Sequence, residues 1–463
     1  MTEQLKLKLN DSKATRWGAL VIVAFTMMAA YYVNDVVAPL KTMLETDLAW
    51  SSTDFGFFTG GYSFLNVFFL MLIWGGLILD RFGIRFTGKL ATILMVGGTA
   101  LEYYAMTGLA GADATLFGIN EIFGYKTGVF VAFAGYSIFG VGAEVAGITV
   151  SKIIAKWFKG KELATAMGVQ VALARIGWQA GYAVAIPLAR AFGISTPVLL
   201  GLVLLLGGMI AFFIFAVMDK KLDKQMEAAA IAAGTEDEEE KFSFKDVKNI
   251  LVNPGFWLIA LLCVLFYSCV FPFQKFASEL MIIKYGINEN VAGTFAGLPA
   301  LGALILTPVF GGFIDKRGKS ASIMLLGSAM LICVHFIYAI PDINYWLVAI
   351  VLMIILGIAF SLVPSAMWPA VAKIFPVSQL GTAYALIFFI QNIGLWGIPT
   401  LIGWVLDAYC ISGKKPDGTN MYDYTVPMCI FTGIACLSLI VALLLKKADK
   451  KYGYKLEEPN IQK

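Results

Sequence analysis

Two short stretches, Gly76-Leu-Ile-Leu-Asp80-Arg81-Phe82-Gly83 and, much later, Gly311-Gly-Phe-Ile-Asp315-Lys316-Arg317-Gly318, decide how this chain folds. Each is a charged turn following a long apolar run. A second pair echoes at matching places: Phe158-Lys-Gly-Lys-Glu-Leu163-Ala-Thr165-Ala166 and Phe375-Pro-Val-Ser-Gln-Leu380-Gly-Thr382-Ala383. Two echoes in the same order predict a parallel duplication, in which both halves carry their helices in the same orientation. In the first turn, Gly76 is expected to let helices approach closely. Asp80 is placed to cap or neutralise a neighbouring helix end, and Arg81 to anchor among headgroups.

The composition says what surrounds these turns. Of 463 residues, 59% are hydrophobic and 14% charged, and the mean hydropathy is +0.78. A soluble protein of this size needs more charge to cover its surface. A bilayer span needs about 20 mostly apolar residues. Apolar runs fall at 17–40, 55–79, 88–110, 128–151, 163–189, 196–218, 254–274, 291–314, 320–340, 345–372, 381–405 and 425–445. Twelve is an even number, so both termini lie on one side. The expected fold is an all-α membrane protein with twelve transmembrane helices in two pseudo-symmetric six-helix bundles. The longest polar interruption, 219–252, holds Lys220, Lys221, Lys224, the acidic run from Glu236 to Glu240 and lysines up to Lys248. It separates an N-terminal bundle, 1–218, from a C-terminal bundle and tail, 253–463.

Positive charge sets the orientation. Lys6, Lys8, Lys13, Arg16, Arg81, Arg85, Lys89, Lys152, Lys156, Lys159, Lys161, Lys316, Arg317, Lys319, Lys373, the linker lysines and the tail from Lys446 all fall on one side. The other side has scattered residues such as Lys41, Lys126, Arg190, Lys284, Lys414 and Lys415. Basic loops stay cytoplasmic, so both termini and the linker are expected there. The N-terminus leads straight into the first apolar run without a cleavable signal pattern. A formal net charge of +4 on such a chain gives no reason to expect nucleic acid as a partner; the bilayer and a small solute are the expected ones.

Charges inside spans mark function, since each costs roughly 2.5–3.5 kcal/mol at the centre of a lone helix. The clearest are Glu144, in GVGAEVAG of the fourth span, and Arg175, in VALARIGW of the fifth. At 1.5 Å per residue they lie about 12 Å and about 20 Å from the basic side. They either pair directly or line one cavity at different heights. Aligning the halves on Leu163/Leu380 and Thr165/Thr382 sets Arg175 against Asn392 and Glu144 against Ser361. One half offers charge where the other offers neutral hydrogen-bonding groups, which suits a solute with charged ends and a polar middle. Trp178, Gln179 and Tyr182 follow Arg175 at helical spacing. Tyr31, Tyr32 and Asp35 lie towards the far end of the first span, with Tyr62 and Asn66 in the second. The seventh has Tyr267 and a Phe-Pro-Phe break at Pro272, the tenth Trp368 beside Pro364 and Pro369, and the eleventh Gln391, Asn392 and Trp396. Asp35 and Glu102 are potential proton carriers or hydrated surface groups. His335, the one histidine, reads as packing. Of the six cysteines, Cys410 and Cys429 flank one loop and are close enough in sequence to pair. Catalytic triads, phosphate loops and metal-ligand spacings are absent from the sequence, so an enzyme, a cofactor or a bound metal is not expected.

The GxxxDRxG turn and its repeat resemble the signature of the major facilitator superfamily. That resemblance implies a conformational latch built from Gly76, Asp80, Arg81, Asp315 and Arg317, and a solute site between the bundles near the midplane. Closer still, LDRFGIR at 79–85, WFKGKEL at 157–163, ARIG at 174–177, VFPF at 270–273, WP at 368–369 and LGTAY followed by Gln391-Asn392 resemble the lysosomal dipeptide uniporter family of animals and its prokaryotic relatives. The likeness runs across all twelve spans. It implies that Glu144 and Arg175 hold the two ends of a dipeptide, with Trp368 and Asp35 at matching positions; Tyr62, Trp178, Gln391 and Asn392 are expected, from their places in the spans, to line the same pocket. Two extended residues span about 7 Å, comparable with the depth difference between Glu144 and Arg175. The acidic, dileucine-bearing tail of the animal proteins has no counterpart in MTEQLKLKLND, and the loop 111–126 is longer. A prokaryotic plasma membrane is therefore the expected location, and whether an accessory subunit exists stays open. Two other readings stand beside dipeptide transport: a small-carboxylate carrier in which Arg175 alone binds the anion, and a sensor that binds solute without moving it.

Overall fold

The structure, a computed structural model, describes residues 8–111, 114–158, 161–233 and 244–459. The acidic run of the linker lies outside the described residues. Apolar runs bounded by polar turns become helices because only a helix satisfies every backbone group within its own segment in a bilayer. The first span is Lys13–Val36, the fourth Thr127–Phe158, the fifth Leu163–Phe192 and the sixth Thr196–Ala233. The seventh is Pro254–Tyr285, the ninth Ser320–Ala339, the tenth Trp346–Ile374, the eleventh Val377–Tyr409 and the twelfth Thr425–Tyr452. The eighth is made of Glu289–Ala296 and Leu298–Arg317.

Among the described residues, nine helices are long and apolar enough to cross a membrane, and a tenth candidate is the bent pair Ser52–Phe68 and Met71–Thr107, with a 58° bend. That pair holds two crossings. The helix Met71–Thr107 breaks at Gly83, whose φ of +74° ends one span and starts the next. Gly318, at the same place in the repeated turn, has φ +71°. Both positions need a residue without Cβ, which explains why each turn ends in glycine. The fifth span is less apolar than those nine because Gln170, Arg175 and Gln179 sit in its middle. These additions complete twelve crossings in two six-helix bundles.

Two boundaries differ most from the sequence reading. The sixth span runs to Ala233, well beyond the expected 218, because the Lys- and Ala-rich continuation consists mostly of strong helix formers. The seventh passes unbroken through Pro272 to Tyr285. Proline is tolerated inside such a buried span, and the continued helix carries Lys275 and Glu279 inside the protein rather than into a loop.

The bundles meet tightly on the face opposite the termini. There the Lys41 ammonium, 1% exposed, lies 2.5 Å from both Glu45 and Glu279, and Tyr424 donates its hydroxyl proton to Glu279. Lys415, from a loop hairpin, reaches Glu45 at 3.5 Å. Asp407 of the eleventh span accepts the backbone N–H groups of Ser52 (3.3 Å) and Thr53 (2.6 Å), capping the second span from the other bundle. Arg190 pairs with Glu289. Lys41 and Lys415, which the sequence suggested were scattered loop charges, are thus partners in one network, the first buried and the second partly so. On the terminal face these contacts lie within one bundle: Arg16 to Glu162 at 2.9 Å, Lys161 to Asp11 at 2.9 Å, and the carboxylate of Glu457 on Ser322. The Lys161 hydrogen bond holds the Asp11 carboxyl below its ordinary pKa. Among the described residues all six cysteines are free; Cys410 is buried and Cys429 exposed.

Candidate functional site

Between the bundles lies a cavity of about 470 Å³. It begins beneath the sealed face at Asn34 and Lys275 and extends to Ser151, Gln170 and Val171 towards the terminal face. A volume of this size is typical for sites that enclose a small organic ligand.

Glu144 and Arg175 both line it. The fourth span presents Glu144, which accepts a hydrogen bond from the Tyr62 hydroxyl at 2.9 Å. The fifth span presents Arg175, whose guanidinium carbon lies 5.8, 5.3 and 5.1 Å from the ring centres of Tyr31, Trp178 and Phe360. Ring faces attract a cation but do not neutralise it. Among the described residues no ion pair joins Glu144 to Arg175, and neither has another charged partner. Of the two arrangements left open by the sequence, a direct pair or two charges on one cavity, the structure has the second.

The C-terminal bundle supplies a neutral wall. Trp368 stacks on Phe388 at 4.8 Å, and its carbonyl accepts from Tyr384. Gln391 and Asn392 also line the cavity. The Asn392 amide donates to the Phe388 carbonyl at 2.9 Å, while its own oxygen has no partner among the described residues. Ser361, the counterpart of Glu144, donates to Gly357 one turn back and is buried away from the cavity.

Two expected lining residues stand behind the wall instead. Trp178 is fully buried, wedged against Phe271 and Phe360, because the fifth span turns that face towards the other bundle. It holds Arg175 without reaching the cavity. Asp35 is withdrawn by an ion pair with Lys275 at 2.9 Å. Lys275 also donates to the Asn34 carbonyl (2.7 Å) and the Tyr136 hydroxyl (3.3 Å), so all three of its N–H bonds are used. The sequence reading missed Lys275. A lysine a few residues beyond a proline in an otherwise apolar run was the available signal. Glu102 is fully buried, with neither carboxyl oxygen partnered among the described residues, so the hydrated-surface alternative does not hold. His335 packs between Phe273 and Phe431.

In the repeated turn Asp80, largely exposed, pairs with Lys152 of its own bundle at 3.1 Å. Arg81 rests over Phe82 and is exposed. A Cβ at Gly76 would meet nothing within 4 Å, whereas one at Gly75 would lie 2.5 Å from Val145. The close-approach glycine is therefore Gly75, one residue earlier than expected. In the second turn Arg317 is exposed and Asp315 half-buried.

A charged cavity between two pseudo-symmetric six-helix bundles is the architecture of a membrane solute carrier. The profile described as Major Facilitator Superfamily matches residues 20–399 and 276–458, and the chain belongs to that superfamily. The lysosomal dipeptide transporter MFSD1 of Homo sapiens is 29% identical over 95% of this chain and 88% of its own length. That of Gallus gallus is 33% identical over 59% of this chain and 62% of its own. Among solved structures, the nucleoside transporter NupG aligns with a TM-score of 0.68 at 12% identity, covering 92% of this chain and 98% of its own. A peptide transporter POT aligns at 0.67 with 14% identity over 95% of each; these two likenesses concern the fold.

Proposed function

We propose that the chain carries dipeptides across its membrane by alternating access, with Glu144 holding the α-ammonium and Arg175 the α-carboxylate. The observation that supports this is one cavity with one unpaired carboxylate and one unpaired guanidinium. A zwitterion satisfies both, and the guanidinium fork takes a carboxylate through two parallel hydrogen bonds. Trp368 and Tyr62 then flank the backbone, while Gln391 and Asn392 meet its peptide group. The likeness to MFSD1 across most of the chain supports the same substrate class. Asp35 acts at one remove, by fixing Lys275, and Trp178 by fixing Arg175.

Uniport is the proposed mode, in a prokaryotic plasma membrane, with the basic terminal face in the cytoplasm. The present arrangement, sealed opposite the termini, is then the inward-facing state. Gly76, Asp80, Arg81, Asp315 and Arg317 are assigned to the latch that closes the terminal face in the other state.

The deciding experiment is a binding series with one dipeptide in four forms: free, N-acetylated, C-amidated and doubly blocked. Binding stabilises the folded state by RT ln(1 + [L]/Kd), so a thermal shift reads it without transport. Acetylation and amidation should each abolish most of the shift. A small-carboxylate carrier would instead accept the acetylated form as well as the free one. Uptake of labelled dipeptide into proteoliposomes separates carrier from sensor, and its indifference to an imposed proton gradient is the result that uniport requires.

A further inference from the structure

A second concavity lies outside the translocation path, on the lipid-facing side of the N-terminal bundle near the terminal face. It is about 500 Å³, lined by Phe82, Arg85, Phe86, Lys89, Ala216, Val217 and Lys220. Its walls are the start of the third span and the membrane-exit end of the sixth. The two helices are in contact at its floor, where Gly88 lies against the Phe212 ring. Nothing can pass between them there, so an occupant must sit in the groove from outside.

The lining holds three cations and no carboxylate. Arg85 and Lys89 stand one turn apart on one helix face, where like charges repel; Asp223 at 2.8 Å and Asp219 at 3.7 Å offset Arg85, which leaves Lys89. The nearby carboxylates are already engaged. Asp219 takes Lys156 at 2.7 Å and the Trp157 indole at 3.0 Å, and Asp223 takes Arg85 at 2.8 Å and Lys156 at 2.5 Å. Lys89 has only the Phe213 ring at 5.1 Å. Neither Lys89 nor Lys220 has a carboxylate partner among the described residues. Directly beside these ammonium groups, Phe82, Phe86 and Val217 are each at least half exposed. Cations capped on a stripe of exposed rings and aliphatic groups match a molecule with an anionic head and an apolar tail.

We propose that this groove binds an anionic phospholipid, with its phosphate between Lys89 and Lys220 and its acyl chains along Phe86 and Val217. The site abuts the Asp80–Gly83 turn, so the bound lipid braces the hinge between the second and third spans.

The full chain in neutral detergent tests this, with phosphatidylglycerol, phosphatidylcholine and soluble glycerol 3-phosphate as probes. Thermal midpoints and retained lipid by native mass spectrometry are the readouts. Phosphatidylglycerol should stabilise and be retained, and phosphatidylcholine much less. Lys89→Ala with Lys220→Ala should weaken phosphatidylglycerol about thirty-fold, at roughly a factor of five per surface cation. Val217→Trp keeps both charges but fills the groove, and should also lose the lipid. Removing the exposed lysines Lys447 and Lys450 should change nothing. Equal stabilisation of all variants by phosphatidylglycerol would reduce the effect to general surface charge and overturn the proposal. An equal response to glycerol 3-phosphate would overturn the lipid assignment in favour of a free phosphate.

Discussion

The two walls of the central cavity come from one ancestral six-helix unit, yet they differ in chemistry. The N-terminal wall carries Glu144 and Arg175 with charges unmet, while the equivalent C-terminal positions hold Asn392, on the wall, and Ser361, turned back on its own helix behind it. The one C-terminal cation at the cavity, Lys275, is fully occupied by Asp35, Asn34 and Tyr136. Duplication gives both walls their geometry, and substitution at a few positions gives one of them its charge. The N-terminal wall is therefore expected to select by charge, and the C-terminal wall by shape and neutral hydrogen bonds.

Mutation of each wall can break this contrast. Arg175→Ala should have the largest effect, weakening every carboxylate-bearing ligand about 10- to 150-fold, since hydrogen bonds to a charged group are worth roughly 1.5–3 kcal/mol. Calorimetry on the purified protein measures it directly. Next comes Glu144→Gln, which should lower affinity for the free dipeptide and narrow its advantage over the acetylated form, because an amide suffers less than a carboxylate when left without an ammonium. An unchanged ranking of the two ligands in this variant counts against an ammonium on Glu144. Asn392→Ala should weaken binding only about two- to tenfold, the range for a neutral hydrogen bond. If its loss equals that of Arg175→Ala, the walls are not unequal.

Asp80→Asn should have the smallest effect on affinity. The ion pair it removes is exposed, and such pairs contribute roughly 0–1 kcal/mol. Its influence should appear as slower exchange between inward- and outward-facing states, measured by the rate of labelled counterflow. Loss of equilibrium binding in a well-folded Asp80→Asn protein would move this turn from gate to site.

Much of this was legible in the chain itself. Apolar run lengths located twelve crossings, and the paired turns revealed the duplication. Rarity of intramembrane charge singled out Glu144 and Arg175. What escaped were groups whose role depends on a distant partner. Lys275 and Glu279 lay beyond the end of the apolar run drawn for the seventh span, and Lys41 just past the first; hydropathy treats such residues as loop. Their burial follows from Asp35, Glu45 and each other, partners hundreds of residues away for the most part. Trp178 shares a helix face with Arg175 in sequence spacing, but whether that face meets solvent or the opposite bundle is decided by packing between bundles.

The glycine seam on the sealed face makes a one-atom switch available. A Cβ on Gly56 would come to 2.5 Å from the Pro399 carbonyl oxygen and 3.0 Å from the Gly403 α-carbon. Both obstacles are backbone of the facing bundle, so they cannot swing aside as a side chain would. Small residues let such helices touch, and a methyl group at this point acts as a wedge only while the face is shut. Once the bundles part, the same methyl has room. Gly56→Ala should therefore tilt the resting population towards the state open opposite the termini, where a cysteine introduced in the cavity wall becomes reactive to an impermeant reagent from that side. Moving a two-state balance from 1:99 to 99:1 takes about 5.5 kcal/mol; whatever fraction of that the wedge supplies would hold the carrier in the conformation this structure does not display.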